Sequence, residues 1–302
     1  MSPRILCLGE PMVEFLRLES GDYRRGVGGD TSNAAIAAAR QGASVGYLTA
    51  LGADRFGDAI TALWASEGVD ASHVVRVAHA PTGIYFIDPD PEGRFFTYYR
   101  AGSAASLMRP GDLPQDAIRA ADILHISGIT LAVSDDLRST ALAAIDVAAA
   151  AGTAVSIDTN LRPALWDIET ARKITHAAMA SATIAVTSID DSQHLTGLAD
   201  PHAIAGFYHD LGPRIVLVTR GAAGCLLSTP SGSVEIPPAD AAPVDSTGAG
   251  DSFSGAFLAW WLETGDPDIA ARRAAVVAAG TVSGFGAVTP IPGRSVVLAA
   301  VP

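Results

Sequence analysis

The 302-residue chain contains very few cysteines and lysines. The two cysteines, Cys7 and Cys225, lie in apolar, strand-like runs, so we expect reduced core residues of a cytosolic protein and no disulfide framework. The one lysine, Lys173, stands between Arg172 and Ile174 without a preceding glycine run, which excludes a P-loop. The seven histidines show no metal-ligand spacing among themselves or with the cysteines, so we predict no zinc site.

Long apolar runs are also missing. No segment approaches the roughly 18 uninterrupted apolar residues that indicate a transmembrane helix, and the apolar run within residues 1–9 is too short for a signal peptide. We therefore expect a cytoplasmic protein with no membrane partner. Acidic residues outnumber basic ones, which gives a formal net charge of −12. This charge argues against a nucleic-acid partner, because phosphate backbones demand basic patches.

The residues that are present indicate a globular α/β chain. Hydrophobic residues make up 49% of the sequence and charged residues 17%, so the chain can bury a large core. Residues 4–9 form a predicted first strand, and residues 32–41 a helix that ends at Gly42. Further along, the predicted strands are 122–127, 153–158, 182–187, 214–219 and 224–228, and the predicted helices are about 134–151, 167–180 and 200–211. Strands that alternate with helices favour a parallel sheet covered on both faces, and we assign residues 1–302 to a single domain.

Two regions interrupt this alternation. Residues 11–27 and 82–100 contain short alternating or aromatic runs with no helix between strands. We interpret them as a small antiparallel sheet that stands off the main sheet; the alternative is a pair of edge hairpins of the main sheet. A separate sheet over the carboxyl ends of parallel strands would act as a lid that excludes water.

The segment Asp245-Ser-Thr-Gly-Ala-Gly-Asp251 combines glycines with an acidic residue at the predicted start of a helix. Glycines let a ligand approach the backbone, and the free N–H groups at a helix start bind anions. A carboxylate at that turn suits a proton acceptor for a hydroxyl that attacks a phosphoryl group, while the N–H groups stabilise the developing charge. This combination indicates a small-molecule kinase; the alternative is an aspartate that only caps the helix.

Two segments resemble the signatures of the ribokinase-like (pfkB) carbohydrate kinases. They are residues 28–34, Gly-Gly-Asp-Thr-Ser-Asn-Ala, and residues 245–256, Asp-Ser-Thr-Gly-Ala-Gly-Asp-Ser-Phe-Ser-Gly-Ala. The segments follow the order that the family has, and the likeness extends over essentially the whole chain. The resemblance implies a three-layer αβα sandwich with a mostly parallel central sheet and a small β-sheet lid formed by about 11–27 and 82–100. It also implies a homo-oligomer, because lids of this family often pair between subunits.

The resemblance assigns roles to residues of both signatures. In the second signature, the expected catalytic residues are the base Asp251 and the anion-hole residues Gly248, Ala249 and Gly250. In the first signature, the residues expected to bind sugar hydroxyls are Gly29, Asp30 and Asn33. Glycine permits close approach of a sugar, and aspartate and asparagine match hydroxyl donors and acceptors.

The resemblance also implies ATP and Mg²⁺. The expected ATP-binding residues are Ser188, Thr219, Gly221, Gly224, Gly248 and Gly250. The family usually has Asn-x-x-Glu where this chain has Ser188-Ile-Asp-Asp191, so we expect Asp191 to contact Mg²⁺ through water; the alternative is a helix N-terminal charge favoured by the dipole. Asp245 and Thr247 are candidate ligands of a monovalent cation such as K⁺, with turn capping as the alternative.

Within the family, several segments resemble kinases that phosphorylate 2-keto-3-deoxygluconate to its 6-phosphate. They are Gly9-Glu-Pro-Met12, Tyr98-Tyr-Arg-Ala-Gly-Ser-Ala104, Leu124-His-Ile-Ser-Gly-Ile-Thr130 and Asp158-Thr-Asn-Leu-Arg-Pro-Ala-Leu-Trp166. The carboxylate of a sugar acid is best held by a guanidinium or by tyrosine hydroxyls. We expect Arg100 and Arg162 to face it and Tyr85 and Tyr98 to reach the substrate. The alternatives are surface salt bridges for the arginines and core packing for the tyrosines.

Other functions remain open. The alternative within the family is a fructokinase or another sugar kinase, and a more distant one is a non-catalytic sugar-binding protein. A dinucleotide-dependent oxidoreductase would need Gly-x-Gly-x-x-Gly after the first strand, and Leu8-Gly-Glu-Pro-Met12 does not supply it. His125 lies in an apolar run, so we expect a hydrogen-bonded core histidine there.

Overall fold

The computed structural model describes residues 4–90 and 93–302, and its strands fall into two sheets. In chain order the strands are β1 (Ile5–Leu8), β2 (Met12–Arg17), β3 (Tyr23–Gly28), β4 (Val45–Gly52), β5 (Val69–Asp70), β6 (Val74–Val77), β7 (Ile84–Asp90), β8 (Gly93–Tyr99), β9 (Ile123–Ser127), β10 (Ala154–Asp158), β11 (Ile184–Ser188), β12 (Ile215–Thr219), β13 (Cys225–Thr229) and β14 (Gly232–Ile236).

The central sheet is mostly parallel. Its strand order is β14-β13-β12-β11-β10-β9-β1-β4-β5, and β6 also pairs with β4. Every pair from β12 to the β5 end is parallel, whereas β13 is antiparallel to both β12 and β14. The parallel pairs bring the carboxyl ends of the strands to one edge, where open α/β sheets bind ligands.

Helices cover both faces of the central sheet. In chain order they are α1 (Asp30–Arg40), α2 (Arg55–Glu67), α3 (Gln115–Ala120), α4 (Gly128–Ala132), α5 (Asp135–Ala151), α6 (Ile168–Met179), α7 (Ile189–Thr196), α8 (Pro201–Leu211), α9 (Ala249–Thr264), α10 (Pro267–Val282) and α11 (Arg294–Ala300). None of the helices in the described part of the chain is both long and apolar enough to cross a bilayer.

Side chains of the central strands alternate between two hydrophobic cores. In β1, Ile5 and Cys7 contribute to the core that contains α1, α2, α9, α10 and α11. Leu6 and Leu8 contribute to the opposite core, beneath α3 to α6 and α8. Successive residues of a strand point to opposite faces, so a strand buried on both sides must be apolar throughout. The predicted three-layer αβα sandwich is therefore confirmed.

The predicted elements match the structure with small shifts at their ends. The first helix begins at Asp30, two residues before the predicted start, because the preceding Gly29 leaves the helical conformation at φ +120°. The sequence analysis did not identify β4, although all eight of its residues are buried. The two cysteines are buried and free, as predicted. His125 is buried in β9 with Nδ1 3.1 Å from Ser156 Oγ, which confirms a core histidine.

The second sheet is small and has the order β3-β2-β7-β8. The prediction of a separate small sheet is confirmed, but the prediction that it is fully antiparallel is wrong, because β2 and β7 run parallel. Both strands leave the central sheet in the same direction, and the N–H of Val13 donates to the carbonyl of Gly83 (3.1 Å) where they start side by side. The returning strands β3 and β8 then pair antiparallel on the outside.

Candidate active site

Three segments that are far apart in the sequence meet at the carboxyl edge of the central sheet: the start of α1, the turn after β10 and the start of α9. Asn33 Nδ2 donates to Asp251 Oδ2 at 2.8 Å, and Asn160 Nδ2 donates to Asp30 Oδ2 at 3.1 Å. Polar side chains of both signatures therefore lie within hydrogen-bond distance of one another or of the turn after β10. Ser254 Oγ donates to Asp158 Oδ2 at 2.9 Å and fixes α9 to the end of β10.

Asp251 lies in the first turn of α9, where its carboxylate is buried and close to a second carboxylate, that of Asp30. Burial in the cleft and the nearby negative charge of Asp30 raise its pKa to about 6, although the Asn33 hydrogen bond and the positive charge of Arg162 act in the opposite direction. A carboxyl group with a pKa of about 6 accepts a proton more readily than an ordinary aspartate and is still mostly ionised at neutral pH. This is the property that a general base needs.

The backbone before Asp251 presents free N–H groups. Gly248 adopts the left-handed conformation at φ +76°, and a Cβ there would lie 2.7 Å from Ala287 Cβ, so only glycine fits. The N–H of Ala249 makes a long turn bond of 3.3 Å to Ser246 O. Within the described residues, the N–H groups of Gly248, Gly250 and Asp251 have no acceptor, and a Cβ on Gly250 would enter open space. Of the predicted anion-hole residues, Gly248 and Gly250 have free N–H groups in the described residues, as does Asp251, whereas the N–H of Ala249 is engaged in the turn; binding of an anion here stays a prediction.

Asp245 and Thr247, the candidate cation ligands, are linked within the same turn. Asp245 Oδ1 accepts hydrogen bonds from the N–H and the hydroxyl of Thr247 at 3.0 and 2.6 Å. Its Oδ2 accepts the N–H of Gly286 at 3.0 Å. These bonds match the turn-capping alternative, and a role in binding a monovalent cation stays a prediction.

The first signature lies directly beside Asp251. Gly29 sits so close to the chain after β1 that a Cβ would lie 2.8 Å from the carbonyl oxygen of Glu10. Asn33 is buried, and its Oδ1 has no hydrogen-bond partner in the described residues while its Nδ2 holds Asp251. Because a buried acceptor without a partner is costly, this oxygen suits a ligand hydroxyl.

The two arginines predicted to face a carboxylate differ in their surroundings. Arg100 Nε donates to Glu10 Oε2 at 2.7 Å, and its Nη2 also forms an ion pair with this carboxylate. The Glu10 side chain is fully buried, and Ser103 Oγ donates to its other oxygen at 2.8 Å. By contrast, Arg162 is exposed and donates only to its neighbour's carbonyl, Leu161 O, at 2.9 Å. No carboxylate of residues 4–90 and 93–302 forms an ion pair with Arg162, whose positive charge favours the ionised form of Asp251.

The two tyrosines of the small sheet also differ. The buried Tyr85 hydroxyl donates to Glu14 Oε2 at 2.6 Å and lies against Gly28, so its proton is used inside the small sheet. Tyr98 is 42% exposed, packs beside Tyr85 with 5.6 Å between ring centroids, and lies under the Arg100 guanidinium. The Tyr85 hydroxyl is thus already engaged, whereas Tyr98 is exposed, and contact of either residue with a substrate stays a prediction.

The predicted nucleotide residues lie at the ends of the next strands. Ser188 caps α7 by accepting the N–H of Asp191 at 3.0 Å, and Thr219 Oγ1 donates to Thr187 O at 3.2 Å. Gly221 has open space around its missing side chain, whereas a Cβ on Gly224 would lie 2.1 Å from Ile236 O. Gly224 is therefore required by the packing of the β13–β14 hairpin, and Gly221 is free to face a ligand.

Asp191 has a structural task in addition to its predicted metal role. Its Oδ2 accepts hydrogen bonds from Thr159 Oγ1 at 2.9 Å and from the N–H of Leu161 at 3.0 Å, and it thereby supports the turn after β10. No cluster of three potential metal-ligating side chains occurs in the part of the chain that the structure describes. These residues fit a Mg²⁺ ion only if most of its ligands are phosphate and water oxygens, as is usual for Mg²⁺.

Sequence reasoning missed three residues of this site: Glu10, Asp158 and Asn160. Burial and the charge of Asp251 raise the pKa of Asp158 to about 8, so a second carboxyl group beside the cleft is protonated at neutral pH. Asp158 is the last residue of a predicted parallel strand and Asn160 lies two residues beyond it, and polar residues at that edge were a signal for them. Glu10 follows directly after the predicted first strand and carried the same signal, but its pairing with Arg100 could not be found, because Arg100 comes from the end of β8.

Comparisons with known proteins agree with this geometry. Residues 2–294 match the pfkB family of carbohydrate kinases. The chain is 35% identical to a 2-dehydro-3-deoxygluconokinase of Thermoproteus tenax, with 90% of this chain and 87% of that protein covered. It is 34% identical to the 2-dehydro-3-deoxygluconokinase of Escherichia coli K12, with 96% and 98% covered. Among solved structures, a fructokinase with bound ATP from Xylella fastidiosa superposes with a TM-score of 0.91 at 29% identity, with 99% and 98% covered. The chain therefore belongs to the pfkB family of carbohydrate kinases.

Proposed function

We propose that this kinase transfers the γ-phosphoryl group of ATP to the 6-hydroxyl of 2-keto-3-deoxygluconate (2-dehydro-3-deoxygluconate). The observation that carries the choice of a sugar acid is Arg162, an exposed guanidinium near Asp251 with no carboxylate partner in the described residues. The names of the Thermoproteus tenax and Escherichia coli relatives support the same substrate. A neutral sugar offers no carboxylate for this guanidinium to bind.

Asp251 acts as the general base in this proposal. The sugar hydroxyl oxygen attacks the γ-phosphorus, its proton passes to Asp251, and the bond from the γ-phosphorus to the β–γ bridging oxygen breaks, so that ADP leaves. The raised pKa of Asp251 and its fixation by Asn33 support this role. The free N–H groups of Gly248 and Gly250 stabilise negative charge on the transferred group.

The nucleotide lies along the carboxyl ends of β11 and β12 in this proposal, near Ser188, Thr219 and Gly221. The ATP bound to the Xylella fastidiosa fructokinase supports ATP as the phosphoryl donor. A Mg²⁺ ion held between the phosphates would neutralise their charge, and Asp191 would contact it through water. K⁺ binding by Asp245 and Thr247 is the least supported part, since both Asp245 oxygens have partners.

The sugar is held by the first signature and by the small sheet. Asp30 and the unpartnered Asn33 oxygen accept sugar hydroxyls, and Gly29 permits close approach. The sugar carboxylate pairs with Arg162, while Arg100 contributes only the part of its guanidinium that Glu10 does not engage. Tyr98 offers its exposed hydroxyl, and the small sheet acts as a lid over the cleft.

We also propose a homo-oligomer that pairs through the small sheet. Four aromatic side chains of its edge strand β8 are more than 40% exposed, namely Phe95, Phe96, Tyr98 and Tyr99. An edge strand with an apolar surface is a ready site for association with another chain. Sedimentation at two protein concentrations tests this, and a Phe95→Glu/Tyr99→Glu variant that stays in the wild-type assembly would contradict it. The cytoplasmic location stays a proposal, supported by the two free, buried cysteines.

A fructokinase is the second candidate. The similarity to the Xylella fastidiosa fructokinase favours it, and Asp30, Asn33 and Asn160 are groups that match neutral hydroxyls. The two candidates differ in what they require of Arg162. A sugar acid depends on this guanidinium, whereas fructose has no carboxylate for it to bind.

The deciding experiment measures ADP release with a coupled assay across 2-keto-3-deoxygluconate, fructose and ribose. We expect saturable turnover with the sugar acid, and Arg162→Met should raise its KM about 100-fold, or roughly 3 kcal/mol, as expected for a charge-assisted pair. Arg119→Met, which removes an arginine from an exposed pair on α3, serves as the matched control and should change nothing. Turnover of fructose or ribose without turnover of the acid would refute the proposed substrate.

Asp251→Asn separates a kinase from a sugar-binding protein. This variant should bind the sugar in calorimetry but lose at least about 100-fold in kcat, because general bases contribute about 10²–10⁴-fold. Unchanged turnover in Asp251→Asn would remove the base from the proposal whatever the sugar is.

A further inference from the structure

Asn160 has a backbone conformation that no other non-glycine residue in the described part of the chain adopts. Its φ is +30°, in the region that favours glycine. The surrounding turn enforces this conformation: the N–H of Asn160 donates to Asp158 Oδ1 at 3.1 Å, and the N–H of Leu161 donates to Asp191 Oδ2 at 3.0 Å. Strained residues that are held in place by their neighbours concentrate at functional sites.

The strained turn brings the Asn160 side chain between two carboxylates. Its Nδ2 lies 3.1 Å from Asp30 Oδ2 on α1 and 3.5 Å from Asp251 Oδ1 on α9. The amide must present its N–H groups to this pair, because its oxygen would be repelled by both acceptors. Asp251 therefore has an amide donor on each oxygen, Asn33 at Oδ2 and Asn160 at Oδ1.

We propose that Asn160 is a positioning residue for the phosphoryl transfer: its amide bridges Asp30 and Asp251, orients the base and offsets the repulsion between the two carboxylates. The inference rests on the proposed role of Asp251 as the base. It extends that function by one residue, which touches the base and not the reacting atoms. The positive φ of Asn160 places its amide donor between the two carboxylates, which accounts for the strained backbone at this residue.

The bridge predicts an electrostatic signature. The charged and titratable groups that face Asp251 are Asp30 on α1, Asp158 at the end of β10, Arg162 in the loop that follows, and Tyr85 on β7. Among these groups of the described chain only Arg162 is positive, so loss of the Asn160 donor removes one of the few interactions that favour the ionised base. The pKa of Asp251 should then rise, and the acid limb of the rate profile should move to higher pH.

Three substitutions separate the amide from the backbone. Asn160→Asp keeps the shape and tolerates a positive φ, but it replaces the donor with a third carboxylate. Asn160→Gly permits the same positive φ but has no side chain. Asn160→Ala removes the amide and also disfavours the positive φ of this turn. All three are assayed for kcat and kcat/KM from pH 5 to pH 9, with whichever sugar the wild-type enzyme turns over, and their folding is checked by thermal unfolding.

We expect Asn160→Asp and Asn160→Gly to lose about 100-fold in kcat, as a misplaced catalytic group does. The acid limbs of their rate profiles should shift to higher pH by at least about half a unit, which corresponds to an approximately threefold higher proton affinity of Asp251. The shift should be larger for Asn160→Asp. The double variant Asp30→Asn/Asn160→Asp exchanges the two side chains, so that the amide donor lies on α1 and the carboxylate acceptor lies in the turn. It should recover part of the loss relative to Asn160→Asp.

A wild-type kcat in Asn160→Gly would overturn the inference, and so would a loss of kcat with an unmoved acid limb, since a merely structural residue gives that result. If Asn160→Asp does not fold, Asn160→Gly decides alone. A failure of the proposed function gives a different result: Asp251→Asn keeps its turnover, or the wild type does not phosphorylate the sugar acid. Neither of those outcomes depends on residue 160.

Discussion

The pH dependence of kcat/KM offers a direct test of the electrostatics of the cleft. Burial and the charge of Asp30 raise the pKa of Asp251 to about 6. Because a general base must be ionised, kcat/KM should be half of its plateau near pH 6 and should fall about tenfold for each pH unit below that. At pH 5 about a tenth of the molecules would carry the active base, whereas an ordinary aspartate with a pKa near 3.9 would remain almost fully active.

Two variants should move this midpoint in opposite directions. Asp30→Asn removes the neighbouring negative charge and should shift the acid limb to lower pH. Arg162→Met removes the positive charge that favours the ionised base and should shift it to higher pH. Arg119→Met, on α3 before the start of β9, is the matched control and should leave the midpoint unchanged.

The assay is the initial rate of ADP release with sugar as the varied substrate, at saturating ATP and magnesium and with the coupling enzymes in excess at every pH. A midpoint near pH 4 would refute the reasoning, because it would give Asp251 an ordinary solvated environment. Shifts of Asp30→Asn and Arg162→Met in the same direction would also refute it, since the two charges have opposite signs.

Three further substitutions test the packing and the turn chemistry. A Cβ on Gly255 would lie 2.0 Å from Ala34 O between α9 and α1, so Gly255→Ala should lower the free energy of unfolding by about 3 kcal/mol in urea titrations, whereas Gly206→Ala, with open space, should change it by less than about 1 kcal/mol. Gly250→Ala should melt like the wild type but lose about 100-fold in kcat/KM for ATP, because its methyl group would enter the open space at the anion hole. The pKa of Asp158 is raised to about 8 in the folded state. Between about pH 4 and pH 8 this residue is therefore protonated in the folded protein but ionised in the unfolded chain. The wild type therefore loses stability as the pH rises from about 4 to 8, and Asp158→Asn should gain in unfolding free energy relative to it between pH 5 and pH 8.

Much of the fold could be predicted because buried strands and helices carry strong periodic signals. The run from β9 to β13 was found because strands buried on both faces are continuously apolar and alternate with amphipathic helices. The parallel pairing of β2 with β7 could not be found this way. Strand direction in a small sheet depends on where each strand leaves the central sheet, and here both start beside one another at Val13 and Gly83.

The site could be predicted where one short segment supplies several functional groups. Gly248, Gly250 and Asp251 belong to one turn, so local sequence suffices to bring them together. Asn160 belongs to a different kind of feature. Its importance depends on a positive φ and on two carboxylates from α1 and α9, and none of these is visible in the residues beside it.

The two arginines show why residue type does not reveal net charge at a site. Arg100 and Arg162 both follow strands and both suit a carboxylate, so sequence reasoning treats them alike. Arg100, however, meets the fully buried Glu10, and the pair is close to neutral, because neither charge can be left alone in a buried environment. Arg162 has no carboxylate ion-pair partner in the described residues, and its positive charge favours the ionised form of Asp251. If the substrate is the proposed sugar acid, this guanidinium attracts its carboxylate, whereas the negative charges of Asp30 and Asp251 would repel it if Arg162 were paired in the same way as Arg100.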